Sequence, residues 1–299
     1  MGKFRKWIQG VTADDSTRDA AVHSLRIRLE AVQYYLPRAA NHADEDIEYV
    51  HQLRVSTRRS MAALRLYRKL LPRKDAKWFA KTLRRICRTA GKARDLDVLT
   101  ESHKQDTHKG TEQFLKTVRK KRKAAQKPLV RIHQRLKKDD RLKKRVRRLL
   151  ARIEAPKTND RFGPWARVRL RKIVRRFFDA SPADRNDMEA LHQFRMQGKQ
   201  LRYAMELLAP AFPRELVEDL YPIVEKLQEQ AGRINDHVVA IKRVENWKSK
   251  SRNAEQSKHL RSLLTENKQK LVRSRRRFDA WWRPEFESRL RKRFESLVE

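Results

Sequence analysis

Cysteine occurs once in this sequence, at Cys87, and glycine only 7 times in 299 residues. A single thiol excludes a disulfide-stapled scaffold and every thiolate-rich zinc site. Sustained alternation of β-branched with polar residues is missing too, which argues against a sheet. No apolar run approaches the roughly 20 residues needed to span a bilayer. The opening stretch Met1–Gly10 lacks the apolar region of a secretory signal, and Lys6 stands where a myristoylation motif wants Ser or Thr. A soluble, cytoplasmic chain is expected. Acid is also in short supply: 75 Lys and Arg face 37 Asp and Glu, a formal charge of +38. Self-repulsion on that scale exceeds what solubility needs and implies a strongly anionic partner. Hydrophobic residues at 39% still suffice for a core and exceed what a disordered tail carries.

Apolar residues recur at intervals of three and four, as in Leu25, Leu29, Val32 and Leu36, or Leu136, Val146 and Leu149. This is helical periodicity nearly throughout, so the fold class is all-α. Breaks are expected near Pro37–Asp46, Pro72–Asp75, Gly110, Pro156–Pro164, Ser181–Asp187 and Pro210–Pro213. Within the fifth, Ser181-Pro182-Ala183-Asp184 reads as a helix start, with Ser181 as the cap.

An internal repeat organises the chain. His51-Gln52-Leu53-Arg54 is answered by His192-Gln193-Phe194-Arg195 at an offset of 141 residues. Without a gap, the same offset carries Arg58 onto Lys199, Ala90-Gly91-Lys92 onto Ala231-Gly232-Arg233, and Asp95 onto Asp236. Two tandem helical units, 15–150 and 160–299, are therefore expected. Each has room for about four helices. Two such four-helix bundles in pseudo-two-fold relation would share a groove.

At about 100° per residue, Arg54, Arg58 and Arg65 fall within roughly 60° of His51. Leu53, Ser60, Ala63, Leu64 and Tyr67 take the opposite face. The second unit repeats the design: His192, Arg195, Lys199 and Arg202 share one side, and Phe194, Leu201, Ala204, Met205 and Leu208 the other, with Glu206 where the first unit has Arg65. A second repeated element places Arg84, Arg88, Gly91 and Asp95 on one helical side. Gly91 and Gly232 would admit a ligand or a tightly packed helix. Asp95 and Asp236 would either fix arginine forks or hold a metal bridging to phosphate. For the two histidines, anion contact, a structural role and metal ligation stay open, with anion contact favoured by the neighbouring arginines.

Between Lys116 and Arg148 the chain carries 17 Lys or Arg residues, against only Asp139 and Asp140. Core positions such as Ile132 and Leu136 make this an amphipathic helix or hairpin rather than a tail. Cations spread over many helices argue against sequence-specific DNA binding, and no helix-turn-helix core, C2H2 spacing or aromatic RNA platform is found. The tryptophans Trp165, Trp247, Trp281 and Trp282 read as core or interface aromatics. Catalysis is not expected: a Walker A segment and a two-metal acidic cluster are both missing. No metal or cofactor is expected either.

The His-x-x-Arg helix with Arg58 and Arg59, together with Gly91-Lys92-Ala93-Arg94-Asp95-Leu96-Asp97, resembles the CHAD family, the conserved histidine α-helical domain. The likeness runs from about Ala20 to the last helix, making residues 1–299 a single CHAD domain of two bundle repeats. The second repeat departs from the motif, with Gln200 opposite Arg59, Asn235 opposite Arg94 and Val238 opposite Asp97. The resemblance implies two four-helix bundles around a basic central cavity, binding of long-chain inorganic polyphosphate, and residence on polyphosphate granules. It implies central contacts from His51, Arg54, Arg58, His192, Arg195 and Lys199, with Arg59 of the motif among the binding residues. Arg28, Arg65, Arg84, Arg88, Lys92, Arg202 and Arg233 would form an outer set. Nonspecific nucleic-acid binding or compaction is the alternative reading, with a polyphosphate-processing enzyme ranked below it, and a homodimer that relieves the charge is left open.

Overall fold

The computed structural model describes residues 4–102, 111–155, 160–184, 187–249 and 254–299. Its described residues are all-α, apart from one isolated antiparallel bridge between Ser16 and Arg161. The chain divides into two compact units, Met1–Trp165 and Ala166–Glu299. The first contains α1 (Thr17–Asn41), α2 (Glu48–Leu66), α3 (Arg73–Ser102), α4 (Thr111–Lys137) and α5 (Arg141–Ala151). The second contains most of α6 (Phe162–Asp179), then α7 (Met188–Leu208), α8 (Tyr221–Lys248), α9 (Ala254–Trp281) and α10 (Pro284–Val298). Among the described residues each unit thus has five helices, one more than its length suggested.

The first extra helix arises where charge patterning hid a break. Asp139 and Asp140 adopt left-handed backbone, at φ 55° and 50°, and turn α4 sharply into α5. Aspartate tolerates this region better than most residues, so neither glycine nor proline marks the turn. Pro37 does the reverse. It lies inside α1, flanked by buried Leu36, Ala39 and Ala40, and the break begins only at His42. Burial of the flanking residues outweighs the backbone hydrogen bond that proline forfeits. The expected start at Ser181 is also corrected. Asp187 caps α7, accepting from the backbone N–H of Glu189 at 2.9 Å and Ala190 at 3.0 Å. Ser181 instead donates to Glu287 Oε2 at 2.9 Å, the oxygen that also receives Trp282 Nε1–H. The expected break at Gly110 lies outside the described residues.

Within the first unit, the predicted apolar face of α2 is buried: Leu53, Ser60, Ala63, Leu64 and Tyr67 are all at most 5% exposed. Tyr67 stacks on Trp165 at 5.3 Å between ring centres. Burial pushes its phenol far above the ordinary range. The segment ahead of α1 is fastened to that helix. Phe4 meets Tyr34 and Tyr35 edge-on, and Arg28 donates to the carbonyls of Arg5 and Lys6. In the second unit Phe194 stacks on Phe177 at 4.9 Å and packs against Trp282. Trp165 and Trp282 are therefore core aromatics, as expected.

Two buried aspartates tie the basic helices of the first unit together. Asp75, 1% exposed in the first turn of α3, bonds Arg148 of α5 and attracts Arg145 and Arg152 at 3.8 and 3.6 Å. Asp97, 7% exposed, accepts from Arg122 of α4 at 2.5 Å. Arg122 donates on to Gln126, whose amide reaches the Ala39 and Ala40 carbonyls at the end of α1. One polar chain thereby joins α3, α4 and α1.

Candidate anion-binding helices

Both histidine helices begin alike. Asp46 Oδ1 accepts from Glu48 N–H at 2.8 Å, and Glu48 accepts from the Gln52 amide at 2.7 Å. Asp187, Glu189 and Gln193 make the same pair of bonds in the second unit, at 2.9 Å each. These residues stand 141 positions apart, so the repeat extends upstream to an Asp-x-Glu-x-x-His-Gln signature. Asp187 is the cap of α7, whereas Asp46 stands one residue ahead of the cap of α2; each carboxylate accepts an N–H at the start of its helix and complements its positive end.

His51, Arg54 and Arg58 are half-buried on α2, opposite its core face. Desolvation lowers the His51 pKa first. Glu48 opposes this, while Arg94 of α3 joins Arg54 and Arg58 in lowering it further. The imidazole is therefore held neutral near pH 7, inside a field of three guanidinium groups. Arg94 is the residue that site prediction missed, although it belongs to the quoted motif. Arg54 lies across α3 where Gly91 has no side chain; a Cβ there would collide with its Nη1. Gly91 thus serves to admit an arginine of the site. Thr57 supports the arrangement by donating to the Arg54 carbonyl at 2.9 Å.

Arg54, Arg58, Arg65, Arg84, Arg88, Lys92 and Arg94 have no carboxylate within ion-pair distance among the described residues. Arg65, Arg84, Arg88 and Lys92 are also exposed. Elsewhere the pattern differs. Arg28 is 2% exposed and spends its fork on backbone carbonyls, so it anchors the leading segment and presents no charge to solvent. Arg59 is half-buried.

The second unit keeps the histidine helix and alters its setting. His192 is exposed, Arg195 and Lys199 are half-buried, and Gln228 replaces a threonine in bonding the Arg195 carbonyl, at 3.1 Å. Gly198, at the position of Thr57, leaves room for that amide. Arg202 is committed to Glu206 at 3.6 Å and Glu225 at 3.5 Å, and Tyr221 donates to Glu206 at 2.9 Å. Burial and Glu206 both raise the Tyr221 pKa, which locks this hydroxyl as a donor. Arg233 pairs with Glu229, and Gly232 faces open space. Three cations of the first unit, Arg65, Arg84 and Arg88, are matched at the repeat offset by Glu206, Glu225 and Glu229.

Asp95 and Asp236 do not fill their expected orienting role. Both are exposed and neither pairs with an arginine among the described residues. Helical geometry explains the shift: Asp97 lies two residues on, about 200° around α3 from Asp95, and points inward to Arg122 instead. Among the described residues no three His, Cys, Asp or Glu side chains gather as a metal site, and no helix is long and apolar enough to cross a membrane.

The family model of the CHAD domain matches residues 25–245. The chain belongs to the CHAD family. In fold, this CHAD protein is similar to the crystal structure of the CHAD domain from the plant Ricinus communis. That match has a TM-score of 0.71 at 22% identity and covers 99% of this chain and 97% of the plant chain. It is also similar to PptA from Streptomyces chartreusis, with a TM-score of 0.63 at 17% identity, over 90% of this chain and 99% of that one. No curated relative matches in sequence.

Proposed function

We propose that this CHAD protein binds long-chain inorganic polyphosphate without chemical turnover, and that this binding carries it to polyphosphate granules. The observation that carries the reading is the set of unpaired cations around His51. Arg54, Arg58 and Arg94 converge on a neutral imidazole, whereas Arg122, Arg148 and Arg202 are each matched to a carboxylate. A phosphate chain would supply the missing anions through charge-assisted bonds from guanidinium forks. His51 would donate a further bond and gain a proton as the anion arrives.

The proposal includes the arrangement expected from the repeat: two helical bundles, 15–150 and 160–299, in pseudo-two-fold relation around a basic central cavity. His192, Arg195 and Lys199 would then add contacts from the second repeat, weaker because Arg202 and Arg233 are already neutralised. In the first repeat Arg59, Arg65, Arg84, Arg88 and Lys92 would extend the surface.

The test is a competition titration in about 0.3 M salt, where generic electrostatic binding is suppressed. Labelled long-chain polyphosphate is challenged with duplex DNA, RNA and orthophosphate. Polyphosphate alone should compete at matched phosphate concentration. Equal competition by nucleic acid would make generic compaction the function. Replacing His51, Arg54 and Arg58 together by alanine should lower polyphosphate affinity about tenfold or more with helix content intact; full retention would remove that face from the site.

A further inference from the structure

The outer surface of α4 carries a second feature that the histidine helices do not use. Lys116, Lys120, Lys123, Lys127, Arg131 and Arg135 are all exposed, and they follow one another at intervals of three or four. That spacing lines them up along one helix face. Taking buried Arg122 as the inward reference, they fall roughly 100° to 220° around the helix, away from α1 and α3. The row spans 20 residues, about 28 Å of helix. Its one acidic neighbour on α4 is Glu112, paired with Lys116 at 3.1 Å. No other member of the row has an ion pair among the described residues.

Such a face could be mere solubilising charge, but the repeat supplies an internal control. In sequence, the inward positions of α4, Val118, Arg122, Leu129, Ile132 and Leu136, align with Leu260, Leu264, Leu271, Ser274 and Phe278 of α9 when the offset is 142, one more than elsewhere. At that register Lys120, Lys123 and Lys127 correspond to Ser262, Thr265 and Gln269, all exposed. The same register keeps a cation opposite Lys116, Arg131 and Arg135, at Lys258, Arg273 and Arg277, so it is the three central lysines that this helix can do without. Stacking like charges at i, i+3 and i, i+4 opposes helix formation, so the row on α4 is maintained against a local cost.

We infer that the outer face of α4 is a second binding surface, an external rail for an extended single-chain polyanion, and that it engages the part of a long polyphosphate chain lying beyond the His51 helix. This rests on the polyphosphate reading above. The row favours a single chain over a duplex. A duplex meets one helix face only where its strands cross it, whereas a single phosphate chain can follow the row along its length. Lysine prevails at the centre of the row. It contributes a mobile point charge rather than a fixed fork, which suits a polymer held without register.

The experiment compares wild type with Lys120→Ser/Lys123→Thr/Lys127→Gln, the residues that α9 itself carries. Long-chain polyphosphate, tripolyphosphate and duplex DNA are titrated over a salt series. Each phosphate contact on a single strand contributes about 0.7 to the slope of log affinity against log salt, so losing three should flatten the long-chain slope by about 2. Tripolyphosphate binding should be unchanged, and Lys120→Arg/Lys123→Arg/Lys127→Arg should bind as wild type. An unchanged long-chain slope in the neutral variant overturns the inference while leaving polyphosphate binding intact. So does loss confined to duplex DNA. Absence of polyphosphate binding by wild type would remove both readings together.

Discussion

The pair Asp97–Arg122 can be exchanged for the residues the protein uses in its other half. At the repeat offsets, Asp97 corresponds to Val238 and Arg122 to Leu264. The second unit thus fills with apolar residues the positions where the first has a buried ion pair. In Asp97→Val, the Arg122 guanidinium stays buried with Gln126 as its remaining side-chain partner. In Arg122→Leu, a carboxylate that already has one buried oxygen without a hydrogen bond loses the cation on the other. Breaking a buried pair from one side costs about 3–5 kcal/mol. For a unit of this size each kcal/mol lowers Tm by about 2–4 °C, so either single variant should melt roughly 6–20 °C early. The double variant removes both charges and their desolvation together, and should come within about 1 kcal/mol of wild type. The coupling energy would then be about 5 kcal/mol or more, above the range of about 0.5–3 kcal/mol usual for interacting neighbours. Thermal unfolding by far-ultraviolet circular dichroism measures all four corners of the cycle, and polyphosphate affinity should be equal in wild type and double variant. Additive losses in the double variant would refute the reasoning, because they would mean that each charge has a separate, irreplaceable role.

The depressed His51 pKa gives a signed pH dependence. Below about pH 6.5 the unfolded chain takes up the histidine proton before the folded one does, so stability is complete above that pH and declines as pH falls towards the folded value. His51→Gln should flatten this slope in acid denaturant titrations. If polyphosphate restores protonation, its affinity in wild type should rise over the same interval with proton uptake detectable by calorimetry in two buffers; pH-independent affinity would remove His51 from the contact. The two repeated glycines should respond oppositely. Gly91→Ala displaces Arg54 and should weaken polyphosphate binding, whereas Gly232→Ala enters open space and should stabilise α8 by up to about 1 kcal/mol without affecting binding. Equal responses in binding and melting would contradict the distinct environments assigned to them.

Periodicity made the buried faces of α2 and α7 readable because both are long helices with a single apolar side. Every residue named for them is buried, although Glu206, placed by the wheel on the outward stripe, is buried as well. The turn at Asp139–Asp140 was hidden, since left-handed aspartates lack the composition of a break. Pro37 misled in the opposite sense, its flanking side chains being buried enough to carry the helix through it. The site shows the same division. A stripe of cations is visible on a helical wheel, but whether each is spent is decided by partners far along the chain. Arg28 finds backbone carbonyls 22 and 23 residues away, and Arg122 finds Asp97 at 25. The Asp46–Glu48 and Asp187–Glu189 pairs were legible at the repeat offset. Arg94 needed the packing of α3 beside α2 to join the histidine.

The two repeats answer the same problem differently. A highly cationic bundle must keep its helices together against their own charge, and must also leave some cations unspent if it is to hold an anion. The first unit confines its counter-charge to the interior: Asp75 clasps α5 to α3, and Asp97 clasps α4, so the acids neutralise inward-facing arginines and leave the histidine face open. The second places acids where the first has outward cations, at Glu206, Glu225 and Glu229, and two of its candidate contacts are consumed by them. A single duplicated scaffold thereby carries one half with free positive charge and one half with much of it cancelled. The inward acids bear on binding only through the packing they secure, which is why exchanging Asp97–Arg122 for an apolar pair should leave the ligand untouched while exchanging Arg84 or Arg88 for glutamate should not.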